Sequence, residues 1–262
     1  MTDAPVPDDL LIETRDGVRL LTINRPARRN AISPALHEAL LRTLDDALFD
    51  PDVGALVVTG AGAEAFCAGA DIKDYQAPGA PPMRGPMMGT GRALHEMLLE
   101  TWKPTIAAVN GAAYGGGMEL ALACDIRLCD PAARFALPEA KRGMGAHFAS
   151  VVLPRLIARS DALRMMFTGE PIDADEALRI RLVSAISAPG SVVAEAMELA
   201  RGIAANAPIT LRRMKETAYK AWGLPIAAGL RLNEGVSPYT SEDRVEGFRA
   251  FVEKRKPEWK GR

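Results

Sequence analysis

Two glutamates stand where a carboxylate could take part in acid–base chemistry. Glu119 follows three glycines in what is predicted to be the first turn of a helix, and Glu139 follows the end of a predicted strand. If both side chains reach one pocket, one carboxylate can orient a water molecule while the other handles a proton. Each glutamate alone has an ordinary explanation, as a residue that complements a helix dipole or as a solvated loop residue. The pair is therefore informative only together with the segments around it.

Two glycine-rich turns form the other half of a candidate site. They read AFCAGADIK at 65–73 and NGAAYGGGMEL at 110–120, and each follows a short apolar run. Small residues leave backbone N–H groups open to a ligand, and a turn that starts a helix adds the positive end of the helix dipole. Such a point attracts an anion, a phosphate or a developing oxyanion. Neither turn has the Walker or the GxGxxG pattern, so a dinucleotide site is not supported.

The elements predicted around these turns alternate between strands and helices. Asp16-Gly17 predicts a tight hairpin between strands at 10–14 and 18–23, and Ser33-Pro34 predicts the start of a helix that runs to Phe49. This order favours an α/β core with parallel pairing. Further strands are predicted at 53–59, 105–109, 126–129 and 134–137, and further helices at 174–180, 192–205, 210–221 and 241–254.

Composition and charge exclude several classes of protein. The chain has 262 residues and a formal net charge of −1, which lacks the basic excess of a nucleic-acid-binding surface. Cys67, Cys124 and Cys129 show no metal-ligand spacing, so we expect neither a metal site nor a disulfide framework. No apolar run reaches the ~18 residues of a membrane span, and residues 1–9 do not resemble a signal peptide. We therefore expect a cytoplasmic protein without a membrane or nucleic-acid partner.

Taken in this order, the motifs resemble those of the crotonase family, the enoyl-CoA hydratase/isomerase superfamily, over nearly the whole chain. Asn24-Arg25-Pro26 with Asn30-Ala31 is similar to the early signature of that family, and the two glycine-rich turns are similar to its two oxyanion-hole turns. FALPEAK at 135–141 resembles the segment with the second acid, and EGFRAFVEKRKPEW at 246–259 resembles the C-terminal helix. The two turns and the tail are specific in combination.

The resemblance implies a crotonase-like α/β fold. A spiral of β-β-α units is expected over residues 1–190, followed by a helical region at 191–262 that drives assembly into a trimer or a dimer of trimers. It also implies an acyl-CoA thioester as substrate. Coenzyme A would then be part of the substrate, and no further cofactor or metal is expected.

The resemblance also implies roles for individual residues. The backbone N–H groups of Ala70 and Gly116 would hold the thioester oxygen and stabilise an enolate, and the loss of one such donor typically costs ~10²–10³ in rate. For Lys254 a solvated helix face is the alternative interpretation. The residues expected to contact CoA are Ala68, Asp71, Ile72 and Lys73 in the same subunit, and Phe251 and Lys254 reaching the CoA of a neighbouring subunit.

Within the family, the glutamates indicate the reaction. Hydratases carry glutamates at the positions matching Glu119 and Glu139, which implies that Glu119 acts on the water and Glu139 supplies the proton. A double-bond isomerase, which needs one acid/base, and a dehydratase of the carnitinyl-CoA type, which FALPEAK resembles, are alternatives. A rival of another class is a non-catalytic acyl-CoA-binding homologue. A serine peptidase is discounted because Ser150 and His147 have no nucleophile-elbow context.

Three segments depart from the pattern of the family's hydratases. Where these have a proline and a glycine-rich turn after the second acid, this chain has GMGAHFAS at 143–150. His147 is expected to cap the following helix rather than to act in catalysis, and Phe148 to narrow the acyl pocket. Arg181 stands where a glycine is more usual. The segment at 75–92 is rich in proline, glycine and methionine, and it is interpreted as a surface loop or as a lid that sets substrate choice.

Overall fold

The computed structural model describes residues 7–81, 93–233 and 235–262. The strands are β1 (Leu10–Arg15), β2 (Val18–Ile23), β3 (Ala55–Gly60), β4 (Ala65–Cys67), β5 (Thr105–Val109), β6 (Ala112–Tyr114), β7 (Ile126–Cys129), β8 (Arg134–Ala136), β9 (Ile172–Asp173) and β10 (Ala185–Ile186). The helices are α1 (Pro34–Phe49), α2 (Ile72–Tyr75), α3 (Leu94–Glu100), α4 (Gly116–Ala123), α5 (His147–Leu156), α6 (Arg159–Thr168), α7 (Ala174–Arg179), α8 (Val192–Ala204), α9 (Pro208–Lys220), α10 (Ile226–Gly229) and α11 (Glu242–Glu253). Short 3-10 turns lie at Pro26–Arg28, Pro138–Arg142 and Pro238–Thr240.

The strands form two sheets with a repeating construction. The larger sheet has the order β1-β2-β3-β5-β7-β10, and the smaller sheet has the order β4-β6-β8-β9. The pairs β3/β4, β5/β6 and β7/β8 each place their first strand in the larger sheet and their second strand in the smaller one, and helical segments follow each pair. These successive β-β-α units form the predicted spiral.

The N-terminal hairpin is confirmed in its pairing and in its turn. β1 and β2 are antiparallel, with Leu10 opposite Ile23. Asp16 and Gly17 both have positive φ angles, of 53° and 76°, as a two-residue turn of the primed type requires. Because that turn matches the twist of the strands, the hairpin begins the larger sheet without an added loop residue.

Helix α1 begins and packs as its sequence predicts. The hydroxyl of Ser33 accepts a hydrogen bond from the Leu36 N–H at 3.2 Å, and Pro34 occupies the first helical position. The leucine at 36 and those at 40 and 44 lie on one face, and all three are buried in the main core. The spacing of four residues therefore identifies the core-facing side of this helix.

The centre of the larger sheet is covered on both faces. Every residue of β3 and of β5 is buried, which explains why both strands read as continuous apolar runs rather than alternating ones. Helix α8 packs on one face through Val192, Ala196 and Ala200. The predicted boundary at residue 190 therefore places α8 in a different region from the sheet that it covers. The division of the chain into two regions stays a prediction.

The remaining differences from the predicted elements are very short strands and two helices, α3 and α6, that were not predicted. β4 and β6 lie within the two glycine-rich segments, where no strand was predicted, and each has three residues. β10 pairs in parallel with β7 inside a region that was expected to be mostly helical. In the described ranges, none of the helices combines the length and the apolar character that crossing a membrane requires. Most of the segment at 75–92 lies outside the described residues.

Candidate active site

The segments expected to do chemistry follow three neighbouring strands of the smaller sheet. β4 pairs in parallel with β6, and β6 pairs in parallel with β8. The turn at 68–71 follows β4, Gly115 follows β6, and the 3-10 turn that contains Glu139 follows β8. Because the carboxyl ends of parallel strands meet at one edge of a sheet, the fold brings the two glycine-rich turns and Glu139 together.

The two predicted oxyanion donors lie side by side. A Cβ atom built on Gly69 would stand 3.0 Å from the Gly116 nitrogen, and one built on Gly116 would stand 3.8 Å from the Ala70 nitrogen. Within the described ranges, neither the Ala70 N–H nor the Gly116 N–H has a hydrogen-bond acceptor. Two adjacent open donors are the arrangement that holds a carbonyl oxygen as negative charge develops on it.

Glycine is required at this junction for two separate reasons. Gly69 and Gly115 have φ angles of 88° and 56°, which side-chain-bearing residues adopt only at a cost. Gly117 has no room for a side chain, because a Cβ there would overlap the Cys67 carbonyl. The glycines therefore allow the backbones of the two turns to approach each other closely.

An ion-pair cluster holds the first turn. The carboxylate of Asp71, with 5 % of the residue exposed, accepts hydrogen bonds from Arg25 at 3.1 Å and from Arg28 at 2.7 Å. Although burial alone would raise the pKa of Asp71, the hydrogen bonds from Arg28 and from a backbone N–H hold it below its usual value. On the backbone, the Asp71 N–H donates to the Ile32 carbonyl at 2.9 Å. The side chain thus fixes the residue that directly follows Ala70.

The other residues expected along the CoA path surround this turn. Asp71 caps α2, since its side chain accepts a hydrogen bond from the Asp74 N–H at 3.4 Å. Ile72 and Lys73, the first residues of α2, are exposed. Ala68 is half-buried and donates its N–H to the Arg29 carbonyl at 3.1 Å. Their contact with CoA stays a prediction.

Glu119 lies in the first turn of α4 and faces the start of α5. Its Oε1 accepts a hydrogen bond from the Ala149 N–H at 2.9 Å. Burial raises the pKa of Glu119, while the N–H groups of Ala149 and Phe148 and the imidazole of His147 act in the opposite direction by favouring the carboxylate. The N-terminus of α5 therefore gives this side chain fixed partners for its charged form.

Glu139 occupies a different environment on the other side of the site. Its Oε2 atom is buried and has no hydrogen-bond partner, and its Oε1 atom would lie 3.1 Å from a Cβ built on Gly115. Burial raises the pKa of Glu139, and the negative charge of Glu119 raises it further. A buried carboxyl oxygen without a partner favours the neutral acid, because the charged form has nothing to replace its lost hydration.

The two glutamates differ in the hydrogen-bond donors that they receive. Glu119 receives backbone donors that stabilise its negative charge, whereas Glu139 feels that charge and leaves one oxygen without a donor. The two carboxyl groups thus lie in different environments, and their roles as base and acid stay a prediction.

His147 does not cap the helix that it was expected to cap. It is the first residue of α5, the N-cap position belongs to Ala146, and no side chain makes a capping hydrogen bond. The capping prediction is therefore wrong. The exposed imidazole instead lowers the pKa of Glu119 electrostatically, against the larger effect of burial. Phe148 is half-buried against the main core.

One residue at this site was missed in the sequence. His95 in α3 places its Nε2 atom 3.1 Å from the Gly116 carbonyl oxygen, and its ring centroid lies 5.4 Å from that of Phe148. No motif surrounds His95 in the sequence. The only available signal was that it is one of three histidines in the chain.

Phe251 and Lys254 lie at the end of α11, which packs on the 3-10 turn at 238–240. Phe251 is 83 % exposed, and Lys254 ends the helix with a left-handed φ of 52°. Both side chains are at the surface of this chain, so their predicted contact with the CoA of a neighbouring subunit stays a prediction. In the ranges that the structure covers, no group of three or more His, Cys, Asp or Glu side chains could hold a metal ion.

Comparison with known proteins places this geometry in a family. Residues 13–262 match the protein family described as enoyl-CoA hydratase/isomerase. The chain is 37% identical over 257 residues to the (E)-benzylidenesuccinyl-CoA hydratase of Thauera aromatica, covering 95% of this chain and 98% of that protein. It is 38% identical over 267 residues to a carnitinyl-CoA dehydratase of Proteus mirabilis, covering 97% and 98% of the two chains.

The fold agrees with these matches. The crystal structure of an enoyl-CoA hydratase from Bacillus anthracis superposes with a TM-score of 0.87 at 32% identity, over 97% of this chain and 100% of that one. The family match extends through the two turns, both glutamates and the C-terminal helices. This chain therefore belongs to the enoyl-CoA hydratase/isomerase family and has the crotonase fold.

Proposed function

We propose that this protein is an enoyl-CoA hydratase, a hydro-lyase that adds water across the 2,3 double bond of an enoyl-CoA thioester. The observation that carries the proposal is the pairing of two open backbone donors with two carboxyl groups in opposite environments. A thioester oxygen fits between the Ala70 and Gly116 N–H groups. The names and activities of the relatives support the same class of substrate.

The proposed reaction assigns one step to each group. The Glu119 carboxylate takes a proton from water as the water oxygen bonds to C3. The π pair of the 2,3 bond moves to C1–C2, and the carbonyl pair moves to the thioester oxygen, where the Ala70 and Gly116 donors hold the enolate. Collapse of the enolate takes the Glu139 proton onto C2. Proton transfer from Glu119 to Glu139, direct or through solvent, restores the starting state.

The remaining contacts of the substrate are proposed from position. Ala68, Asp71, Ile72 and Lys73 surround the first turn and would line the CoA path, with Asp71 acting through its ion pairs rather than by direct contact. We propose no cofactor other than the CoA of the substrate.

We also propose that the protein assembles as a trimer or a dimer of trimers. Helix α11 exposes Val245, Phe248, Phe251 and Val252, and a cluster of exposed apolar side chains is typical of an interface. In the assembly, Phe251 and Lys254 would approach the CoA of a neighbouring subunit. All three cysteines are free and buried, which supports a reducing compartment such as the cytoplasm.

One alternative reaction is supported by a specific match. The FALPEAK segment and the 38% identity to a carnitinyl-CoA dehydratase favour elimination of water from a hydroxylated acyl-CoA. That reaction uses the same two glutamates in the reverse direction. A double-bond isomerase would need only one of them.

The test follows the loss of conjugated-thioester absorbance with a panel of short, medium, branched and aromatic 2-enoyl-CoAs. Glu119→Gln and Glu139→Gln are each expected to lower kcat by about 10²–10⁴-fold. Glu198→Gln, on the exposed face of α8, is the matched control and is expected to leave kcat unchanged. Retained isomerisation in Glu119→Gln would favour the isomerase. CoA-ester binding without turnover of any enoyl-CoA would favour a non-catalytic homologue.

A further inference from the structure

His95 connects the segment before β5 to both halves of the site. It lies in α3, which packs on α1 and α4. One contact is the 3.1 Å separation between its Nε2 atom and the Gly116 carbonyl oxygen. The other is the ring contact with Phe148 at the start of α5, where the backbone N–H groups that hold Glu119 lie. A single side chain thus contacts the element that bears the oxyanion donor and the element that holds the base.

The contact with Gly116 fixes the tautomer of the imidazole. A carbonyl oxygen only accepts, so the Nε2 atom must carry the proton and donate it. Burial lowers the pKa of His95 and outweighs the Gly116 carbonyl and Glu96, which raise it. The ring is therefore neutral at pH 7, with one N–H that is committed to the Gly116 carbonyl and one nitrogen that bears a lone pair.

The residue that receives this hydrogen bond is flanked by glycines on both sides. Gly116 lies between Gly115 and Gly117, and glycine reaches more backbone conformations than any other residue. The first N–H groups of a helix have no partner within the helix. The peptide that carries the Gly116 N–H is held at its other end, where the Gly115 carbonyl accepts a hydrogen bond from the Glu119 N–H at 3.0 Å. His95 contacts the next peptide through the Gly116 carbonyl, so the two contacts together restrain the backbone on both sides of the Gly116 Cα. An oxyanion donor is effective only when its direction is set before the charge develops.

We propose that His95 is a positioning residue for the oxyanion hole: its Nε2–H group, donated to the Gly116 carbonyl, restrains the glycine turn so that the Gly116 N–H points at the thioester oxygen. This inference rests on the proposed function, because it requires Gly116 to be a donor to the thioester. His95 touches neither substrate nor reacting atoms in this role. Its contribution is to the direction of a group that does.

Two substitutions separate the donor from the ring. His95→Gln keeps an N–H donor at about the reach of Nε2 and removes the aromatic ring. His95→Phe keeps a ring against Phe148 and removes the donor, and His95→Met replaces it if the Phe variant does not fold. Glu198→Gln, on the exposed face of α8, is the control.

The direct measurement uses butyryl-CoA with a ¹³C label at the thioester carbonyl. This saturated ester cannot be hydrated, so its carbonyl stretch can be recorded by infrared difference spectroscopy while it is bound. An oxyanion hole polarises the carbonyl and lowers the stretching frequency. We expect the full shift in the wild type, His95→Gln and Glu198→Gln, and at most half of that shift in His95→Phe.

Kinetics with the best enoyl-CoA of the panel provide a second readout. His95→Phe is expected to lower kcat by about tenfold, the order of one ordinary hydrogen bond, with KM changed by less than about threefold. His95→Gln is expected to stay within about threefold of the wild type in kcat. A role in packing alone would reverse this order, because Phe preserves the ring and Gln does not.

The outcomes separate the two proposals. An unshifted carbonyl in the wild type would overturn the oxyanion-hole assignment itself, and the inference about His95 with it. A shifted carbonyl in the wild type that persists in His95→Phe would overturn only the role of His95. Equal loss in the Phe and Gln variants would likewise overturn it, since the hydrogen bond would then not be the cause.

Discussion

Replacing Gly115 by alanine tests whether the glycine turn and the acid are coupled. Gly115 has a φ of 56° and a ψ of −126°, and a side-chain-bearing residue in such a region costs on the order of 1–3 kcal/mol. The new Cβ atom would lie 3.1 Å from Oε1 of Glu139, so the carboxyl group must move by a few tenths of an ångström. The peptide that joins residues 115 and 116 also carries the Gly116 N–H. The substitution therefore disturbs one acid and one oxyanion donor together.

We expect Gly115→Ala to lower kcat by about 10²-fold or more, the typical cost of losing one oxyanion donor. The free energy of unfolding should fall by about 2 kcal/mol, the middle of the strain range. Gly190→Ala is the matched control, since Gly190 has a φ of 73° and a Cβ atom added there would have no atom within 4 Å. It should lose about 1 kcal/mol of stability and keep the kcat of the wild type.

The assay combines urea unfolding with steady-state hydration of an enoyl-CoA. A Gly115→Ala enzyme with the kcat of the wild type, and a loss of stability like that of the control, would refute the reasoning. It would mean that the turn tolerates a side chain without moving either group. A variant that unfolds at the assay temperature is recognised by its unfolding midpoint, and the assay is then repeated at a lower temperature.

Three further predictions follow from the raised pKa values, the ion pairs of Asp71 and the backbone angle of Arg181. The pKa values of both Glu119 and Glu139 are raised. We therefore expect kcat/KM to fall at acid pH as Glu119 gains a proton, and to fall at alkaline pH as Glu139 loses its proton. An acid limb at the ordinary glutamate pKa of about 4.3 would contradict this prediction. Asp71→Asn should lower the free energy of unfolding by about 2 kcal/mol, because it leaves Arg25 and Arg28 without their buried carboxylate partner. An unchanged unfolding midpoint in urea would show that Asp74 compensates. Arg181→Gly should raise stability by about 0.5 kcal/mol, because Arg181 has a left-handed φ of 65°; a lower thermal midpoint would show that the arginine side chain has a compensating contact.

The parts of the fold and site that could be predicted have local signals. The hairpin turn at Asp16-Gly17, the serine and proline that start α1, and the glycines at 115–117 each specify a backbone conformation through their own residue types. Such signals act over two to four residues, so a single sequence contains them in full. Glu119 was found because it lies next to the glycines at 115–117, and Glu139 because it follows the end of a predicted strand.

The parts that were missed depend on contacts between distant residues. β4 and β6 have three residues each, which is too short for a periodic pattern to indicate a strand. His95 lies 21 residues from the carbonyl that it contacts. The helix N-terminus that holds Glu119 is 30 residues further along the chain. The residues next to each of these contacts show no sequence pattern that would predict the contact.

The repeating units of the fold explain how one site can serve several reactions. The first unit provides the Ala70 donor after β4, the second provides the Gly116 donor after β6, and the third provides Glu139 after β8. Each group thus stands on its own strand and loop, while the parallel pairing of the three strands sets the spacing between them. A change of acid in the third unit leaves both donors where they are. Under the proposed function, the donors would then bind the thioester, and the acids would decide among hydration, elimination and isomerisation.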